Sequence, residues 1–273
     1  MSGMPAASAT PGLSDEQLAE LLDLIGDADS VELKLTVLES GHYAAVRSLD
    51  MDPLDAQIRQ VYFFDTPDLG LNRAGAVVRA RRVQRKDGDA IVKLRPVVPR
   101  ELPKKLRGDA SFTVEVDAMP AGFVCSGTLK RRVSDADVMQ VATRARGLDA
   151  LLSKRQRAFL AEHAPAGLEL DDLSVLGPIL VLKLKFEPED FERRLVGELW
   201  MYPDGSRVLE LSTKCTPTEA FQAAAETRAF LTRRGIDVHG EQETKTAKAL
   251  EFLAARSGAD AVSRRPAEVA HDQ

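Results

Sequence analysis

The sequence predicts an α+β protein: a closed antiparallel β-barrel of about eight strands, with a charged interior and flanking helices. Three observations lead to this fold class. Segments that alternate between polar and apolar residues recur along the chain, as in β-strands, beginning with residues 31–37. The polar faces of most of these segments carry basic side chains. Turn signals connect neighbouring segments, and the clearest helical periodicity lies near the two ends of the chain.

The charged faces favour a barrel over an open sheet. In the first strand the apolar side chains point one way, whereas Glu32, Lys34 and Thr36 point the other way. Later segments repeat this theme with basic pairs: Arg79 and Arg81, Lys93 and Arg95, Arg155 and Arg157, Lys183 and Lys185. A sheet rolled around these faces would collect them in one cavity, and its apolar outer faces would need a cover. The alternative is an ordinary sheet whose charged face is solvated.

The first half of the chain starts with a helix and then consists mainly of strands. Residues 1–12 are mostly small and include Pro, Ser and Ala, and we expect them to be disordered. Ser14 and Gln17 form a capping-box pattern before a helix that ends at Gly26. The predicted strands of this half are 30–38, 60–65, 76–83, 90–97 and 112–117, with 39–58 a short helix and loop, 69–75 a short helical or turn segment, 86–89 a hairpin turn and 98–110 a loop.

The second half alternates between helical and strand patterns. Residues 134–152 have helical periodicity, with Ser134 as the candidate cap. Further strands are predicted at 153–160, 179–186, 194–202 and 207–214, with a turn at 203–205 and helices at 217–234 and 245–255. The predicted organisation is an N-terminal tail and helix (1–27), a barrel domain (28–255) with an expanded middle (98–150), and a mobile tail (256–273).

Composition narrows the classes of function. The 273 residues carry a net charge of −5 and a pI near 5.5, which argues against a nucleic-acid partner. Two distant cysteines and four scattered histidines give no disulfide framework and no zinc motif. The chain has no apolar run long enough to span a membrane and no signal-peptide pattern, so we expect a cytoplasmic protein without a membrane partner. No pattern in the sequence indicates an oligomeric state.

The predicted interior points to a small, highly charged anion together with a metal ion. Burying an unpaired charge costs several kcal/mol, so the inward charges need water, counter-ions or one another. Lys and Arg side chains offer many donors to phosphate oxygens. Carboxylates on the same faces, such as Glu32, Glu115 and Glu210, would repel a phosphate unless a cation lay between them. Mg²⁺ or Mn²⁺ serves this purpose by binding carboxylate and phosphate oxygens together.

The most specific motif of the chain is Tyr62-Phe63-Phe64-Asp65-Thr66-Pro67-Asp68-Leu69. It looks like the Tyr-Phe-Asp-Thr-Pro segment of the CYTH, or triphosphate tunnel metalloenzyme, superfamily, which includes class IV adenylate cyclases, thiamine triphosphatases and inorganic triphosphatases. The other matching motifs are Glu32-Leu33-Lys34 on the first strand, Arg79 and Arg81, Lys93, Lys154-Arg155-Gln156-Arg157, Leu170-Asp171 with Leu176-Gly177, and Thr244-Lys245. The resemblance spans roughly residues 28–255.

The resemblance implies an eight-stranded tunnel that binds a triphosphate and Mg²⁺ or Mn²⁺. It implies the following ligands for the phosphates: Arg79, Arg81, Lys93, Arg155, Arg157, Lys183, Lys214 and Lys245. The implied metal ligands are Glu32, Glu115, Asp171 and Glu210, and Lys34 would orient or activate the attacking water. Three of these residues also have an interpretation without a functional role. Lys183 would be solvated at the surface, Asp171 would be a turn residue, and Lys245 would be an ordinary lysine on a helix surface.

Two departures from the family pattern affect the metal. The first Glu of the opening Glu-x-Glu-x-Lys motif is Ser30 in this chain. The late acidic pair falls either at Val181 and Lys183, where both carboxylates are lost, or at Glu210 and Ser212, where one is kept. We prefer the second alignment because a helix and then Lys245 follow it. One firmly held metal ion, or weak metal binding, is therefore the prediction.

Three functions remain open at this point. The leading hypothesis is a metal-dependent hydrolase of tripolyphosphate or of a nucleoside or thiamine triphosphate. The second is an adenylate cyclase of the class IV type, which needs an adenine pocket that the sequence does not reveal. The third is a non-catalytic polyphosphate- or nucleotide-binding protein, favoured by the serines at positions 30 and 212.

Overall fold

The computed structural model describes residues 14–120, 122–238 and 245–263 of the chain. The predicted N-terminal tail, residues 1–12, and the last ten residues of the predicted C-terminal tail lie outside the described residues. The first helix begins as expected: the Ser14 side chain accepts a hydrogen bond from the Gln17 amide, and the Gln17 side chain accepts one from the Ser14 amide.

Nine strands among the described residues close into a barrel in the order β1-β5-β6-β4-β3-β2-β7-β8-β9. Their bounds are Ser30–Val37 (β1), Gln57–Asp65 (β2), Ala76–Val83 (β3), Lys86–Leu94 (β4), Phe112–Met119 (β5), Gly122–Val133 (β6), Ser174–Phe186 (β7), Leu195–Met201 (β8) and Arg207–Cys215 (β9). The α+β barrel with flanking helices is confirmed, but the prediction of eight antiparallel strands is corrected twice. The barrel has nine strands, and β1 pairs with β5 in parallel.

One predicted strand is wrong and one strand was missed. The segment 153–160 is a helix, because Ser153 and Gln156 form a capping box at its start. Residues 122–133, to which the sequence analysis assigned no element, form a long strand between β5 and β4. The hairpin turn between β3 and β4 lies at Gln84 and Arg85, where Arg85 adopts φ 61°, rather than at 86–89. Asp89 therefore lies within β4.

Several helices pack on the outside of the barrel, whereas the last one reaches into its interior. The α-helices are Asp15–Gly26 (α1), His42–Ser48 (α2), Gly70–Arg73 (α3), Lys104–Arg107 (α4), Asp135–Ala142 (α5), Lys154–Ala161 (α6), Ala220–Arg233 (α7) and Lys245–Ser263 (α8). Short 3-10 helices occupy Glu39–Gly41, Pro53–Asp55, Pro99–Glu101, Leu148–Ala150, Leu170–Asp172 and Pro217–Glu219. Every helix within the described parts of the chain is too short or too polar to cross a membrane.

Two apolar cores lie between this cover and the outer face of the barrel. The larger one joins outward side chains of β3 and β4, such as Val78 and Val92, to Phe159 and Leu160 of α6. The second joins Leu35 and Leu209 of the wall to residues that include Phe230 of α7. Because strand side chains alternate, burying one face in this way leaves the other face for the interior of the barrel.

A third apolar core fills one part of the barrel interior. Phe63 and Trp200 are buried there, with their ring centres 6.5 Å apart. Helix α8 reaches this core through Ala249, Leu250 and Leu253. The interior is therefore not charged along its whole length, because apolar residues and α8 occupy one region while charged side chains line the rest.

Candidate functional site

The strand registers bring the carboxylates of β1 and β5 together. Glu32 lies opposite Asp117 in the parallel ladder, and Ser30 lies opposite Glu115. Ligand atoms of Glu32, Glu115 and Asp117 all lie within 4.8 Å of one another, and we call these three residues the acidic cluster. Three carboxylates at this spacing repel one another unless cations lie among them. The parallel β1–β5 pairing thus creates a strong local demand for positive charge.

Lys34 meets part of this demand from within the cluster. Its Nζ donates to Asp117 Oδ1 at 2.6 Å and lies 3.0 Å from Glu32 Oε2. Burial alone would lower the pKa of Lys34, but attraction to Asp117 and Glu32 outweighs burial and raises that pKa. Burial conversely opposes ionisation of Asp117, yet Lys34 and Lys93 hold the pKa of this carboxyl at about 2. Lys34 is therefore an ammonium group at neutral pH.

The acidic cluster fits a divalent cation. Asp117 is fully buried, and its Oδ2 has no hydrogen-bond partner among the described residues. Two cationic groups lie near this oxygen: Arg95 Nη1 at 3.5 Å and Lys93 Nζ at 3.6 Å. Lys214 donates to Glu115 Oε2 at 2.6 Å, but its side chain is 60% exposed and can move away. Oxygen ligands with one unsatisfied buried atom are what Mg²⁺ or Mn²⁺ would use.

A second pair of carboxylates lies farther round the wall. Glu198 and Glu210 are opposite each other on β8 and β9, and both are buried. Lys245, the first residue of α8, donates to Glu210 Oε1 at 2.6 Å and also to Glu198 Oε2. Lys183 donates to Glu198 Oε1 at 2.7 Å. Burial opposes ionisation of Glu198, but Lys245 and Lys183 lower its pKa well below the usual value.

The most basic part of the interior is formed by Arg59, Arg79 and Arg81, which we call the arginine cluster. Arg59 and Arg79 lie on β2 and β3 and face the same side as Arg81. Arg81 forms a bidentate pair with Asp89, with Nε–Oδ1 at 2.9 Å and Nη2–Oδ2 at 2.6 Å. Burial and the neighbouring charge of Arg81 lower the pKa of Arg79 to about 10. The three guanidinium groups have an excess of positive charge over Asp89, which suits an anion.

Within this cluster Arg79 has unused donor capacity. Its Nε is buried and makes no hydrogen bond to any described residue. A buried donor without a partner costs free energy, so it is expected to serve a ligand or an internal water molecule. Its position beside Arg59 and Arg81 favours a ligand with several anionic oxygens.

The two serines that stand where the resemblance expects carboxylates both border the acidic cluster. Ser212 Oγ donates to Glu32 Oε1 at 3.0 Å, and Ser30 Oγ donates to Glu115 Oε2 at 3.4 Å. Of the two alignments of the late acidic pair, this geometry favours Glu210 and Ser212, because β9 lies directly beside β1. Val181 instead packs in the apolar part of the interior.

Three of the sequence-predicted site residues lie away from these clusters. Arg155 and Arg157 belong to α6, not to a strand, and α6 packs on the outer face of β4. Arg155 pairs with Asp109, and Arg157 donates to the carbonyl groups of Asp149 and Leu152. Asp171 is exposed in the 3-10 helix before β7 and is outside the acidic cluster.

The sequence analysis missed several charged residues of the interior. Asp117 lies at the end of the predicted strand 112–117 and shares the alternation of Glu115, but only Glu115 was assigned to the site. Glu198 lies within the predicted strand 194–202, but the sequence analysis did not assign it to the site. Arg59 lies before the predicted strand 60–65, but the observed strand β2 already begins at Gln57. Asp89 was placed in a predicted turn at 86–89, whereas the observed turn lies about three residues nearer the N-terminus, at Gln84 and Arg85.

The interior thus separates charge by sign. The arginine cluster is positive, while the acidic cluster and the Glu198–Glu210 pair hold carboxylates matched to lysines. A phosphate chain would find donors at the arginines, and a divalent cation would find oxygens at the acidic cluster. Lys34 and Lys93, both close to Asp117, add positive charge at the acidic cluster. Such an arrangement can bind a polyanion and a cation at the same time.

Comparison with known proteins supports this fold. No family model matches the chain, and no curated protein matches it either. A "putative adenylate cyclase" of Bacillus halodurans superimposes with a TM-score of 0.57 at 15% identity, covering 81% of this chain and 97% of that chain. A Hippeastrum protein under the same provisional assignment, described as revealing a dominant triphosphatase activity, superimposes with a TM-score of 0.58 at 17% identity, covering 83% and 95%. The chain therefore shares the barrel fold of these two proteins.

Proposed function

We propose that the protein hydrolyses a triphosphate with the help of a divalent cation, the substrate being tripolyphosphate or a nucleoside or thiamine triphosphate. This proposal rests on one observation: a positively charged site and a negatively charged site lie in the same barrel interior. Arg79 offers a buried donor beside Arg59 and Arg81, and the acidic cluster offers a buried oxygen of Asp117. Phosphoryl transfer depends mainly on positioning and charge stabilisation, for which these groups suffice.

The charge of each residue determines which ligand it would bind. The arginine cluster, Lys93 and Lys183 would bind phosphate oxygens, while Glu32, Glu115 and Asp117 would hold Mg²⁺ or Mn²⁺. When bound, such a cation neutralises charge on the phosphates and lowers the pKa of a bound water molecule. Lys34 remains protonated because Asp117 and Glu32 raise its pKa. It would therefore orient a water molecule or a phosphate oxygen through hydrogen bonds, and would not remove a proton.

Two other functions have specific support. The likeness to structures described as adenylate cyclase candidates favours a cyclase that makes cyclic AMP from ATP. The binding of Lys34 and Lys245 to the carboxylates favours a protein that binds polyphosphate or nucleotide without turnover, since neutralised carboxylates attract a metal ion less strongly. Triphosphate hydrolysis ranks first because it needs no base pocket and uses the free donor of Arg79.

Product analysis decides among these functions. The purified full chain is incubated with Mg²⁺ or Mn²⁺ and with tripolyphosphate, ATP or thiamine triphosphate. Release of orthophosphate supports the proposal when Arg79→Ala reduces the rate at least tenfold and Arg82→Ala does not. Arg82 is a matched control because it lies on the same strand but pairs with Asp135 on the other face. Cyclic AMP with pyrophosphate would indicate the cyclase, and saturable binding without product would indicate the binding protein.

A further inference from the structure

Glu198 and Glu210 pose a different electrostatic problem from the acidic cluster. They are directly opposite on neighbouring strands and are only 8% and 5% exposed. Two ionised carboxylates in such a position need a cation between them. A pair of carboxylates can also bind a divalent metal ion, so the group that neutralises this pair determines whether an ion can bind there.

Lys245 already fills the space between these two carboxylates. Its Nζ donates to both of them, at 2.6 Å to Glu210 Oε1, and lies 5.5 Å from the ring centre of Trp200. The remaining acceptor capacity of Glu198 is also used. Lys183 donates to Glu198 Oε1 at 2.7 Å, and Trp200 Nε1 donates to Glu198 Oε2 at 3.3 Å. Both oxygens of Glu198 are therefore engaged by protein donors.

The backbone holds Lys245 in this position. It is the first residue of α8, and the same helix packs Ala249, Leu250 and Leu253 into the apolar part of the interior. Tyr202 Oη donates to the Lys245 carbonyl group at 3.3 Å. An ammonium group on an anchored helix end is displaced less readily than Lys214, whose 60% exposed side chain neutralises Glu115 from the edge of the acidic cluster.

We propose that Lys245 is a built-in cation that replaces a second divalent ion between Glu198 and Glu210. The tunnel then binds a single divalent ion, at the acidic cluster, where Asp117 Oδ2 has no hydrogen-bond partner in the described chain. This inference deepens the proposed function and rests on it for the use of the acidic cluster. Its own content, the metal exclusion by Lys245, concerns only Glu198 and Glu210.

Counting bound Mn²⁺ tests the inference without any assay of activity. Electron paramagnetic resonance measures free Mn²⁺ during titration of the full chain in the absence of phosphate compounds, for the wild type and for Lys245→Met. The variant keeps the length of the side chain and removes its charge. We expect it to bind one more ion per chain than the wild type, which binds at most one. The matched control Lys185→Met, which removes an exposed lysine of β7, is expected to leave the count unchanged.

Two results would overturn the inference: a wild type that binds two ions at saturation, or a folded Lys245→Met variant with the wild-type count. Should Lys245→Met fail to fold, a wild-type count of two Mn²⁺ ions per chain would still overturn the inference, and a count of one or none would agree with it. The double variant Lys245→Met/Glu198→Gln conserves the net charge and should gain no ion. Failure of the proposed function would give a different result. If the wild type binds no metal ion and shows no turnover but Lys245→Met gains one ion, the role of Lys245 is supported and the proposed function is not.

Discussion

Ser212 donates a hydrogen bond to Glu32 across the ladder between β9 and β1, with Oγ and Oε1 3.0 Å apart. Ser30 and Glu115 form a similar but longer contact. Each serine therefore occupies a position where a second carboxylate would lie against a surviving one. With hydroxyl groups there, the acidic cluster keeps three carboxylates, and the charges of Lys34, Lys214 and one divalent cation together exceed their negative charge by one.

Replacing Ser212 by Glu should change metal affinity and stability in opposite directions. A new carboxylate beside Glu32 adds a ligand, so we expect the affinity for Mn²⁺ to rise about tenfold or more. Without metal, the added like charge in a buried site should lower the midpoint of thermal unfolding by several degrees. Titration calorimetry and thermal unfolding in chelator and in Mn²⁺ measure the two effects. Gln84→Glu, in an exposed turn, is the control, and an unchanged Mn²⁺ affinity in Ser212→Glu would contradict the assigned position.

Asp89 competes with a bound anion for Arg81. Its carboxylate forms the bidentate pair with Arg81, so Asp89→Asn should free guanidinium donors and strengthen tripolyphosphate binding about threefold to tenfold. The same change should destabilise the fold by about 1–3 kcal/mol, since a partly buried ion pair is broken. Calorimetry and urea unfolding report the two effects. Asp135→Asn removes the partner of outward-facing Arg82 and should leave tripolyphosphate affinity as it is; weaker binding by Asp89→Asn would refute this role.

The arginines of α6 should not contribute to anion binding. Arg155 and Arg157 lie on a helix outside the barrel, whereas Lys93 lies inside and 3.6 Å from Asp117. Alanine at 155 or 157 is therefore expected to change the dissociation constant for tripolyphosphate less than twofold. Alanine at 93 should weaken binding at least tenfold, because a buried cation near the phosphates is lost. Fluorescence competition with tripolyphosphate measures all three, and a large loss with Arg155→Ala would restore the original sequence prediction.

Much of this barrel could be predicted from alternation alone. Strands such as β1 and β3 have regular polar and apolar faces, and the inward side of each was assigned correctly at Glu32, Lys34, Arg79 and Arg81. The Pro203-Asp204-Gly205 turn was predicted because its residue types suit a tight turn, and Gly205 adopts φ 89° there. The cap residues Ser14 and Ser134 were predicted because side-chain capping is a local interaction.

Long-range pairing could not be predicted in the same way. The segment Lys154–Ala161 alternates basic and other residues, and this concealed its helix; Gln156 instead donates to the carbonyl groups of Ala90 and Leu129 on the outer wall. Asp117 lies beside Glu32 because β5 pairs in parallel with β1, and the alternation that it shares with Glu115 does not indicate this pairing. Charge pairs such as Glu198 with Lys245 join residues far apart in the chain, so only the folded register reveals them.

Acid should unfold the protein within a defined pH window. The pKa of Asp117 is about 2 in the folded state, compared with an ordinary 3.8. A carboxyl whose pKa is depressed by folding stabilises the protein above its unfolded pKa, and this contribution of about 2 kcal/mol is lost as the pH falls from about 4 to 2. The lowered pKa of Glu198 acts in the same direction. Urea unfolding should therefore give a free energy that is steady from pH 7 to 5 and falls steeply below 4. Asp117→Asn should flatten that fall, whereas exposed Glu162→Gln should not.

Lys34 should act as a permanent cation, and this can be separated from a role as a base. Attraction to Asp117 and Glu32 outweighs burial and raises its pKa, so the group stays charged well above pH 9. If Lys34 orients the water or a phosphate oxygen, Lys34→Ala should lower kcat at least tenfold. Lys34→Arg should recover part of the loss, because the charge is kept. The wild-type pH–rate profile should show no step from deprotonation of Lys34 between pH 7 and 9. A kcat that rises through this range in the wild type but not in Lys34→Ala would instead assign Lys34 as a base, and an unchanged kcat in Lys34→Ala would remove it from the reaction.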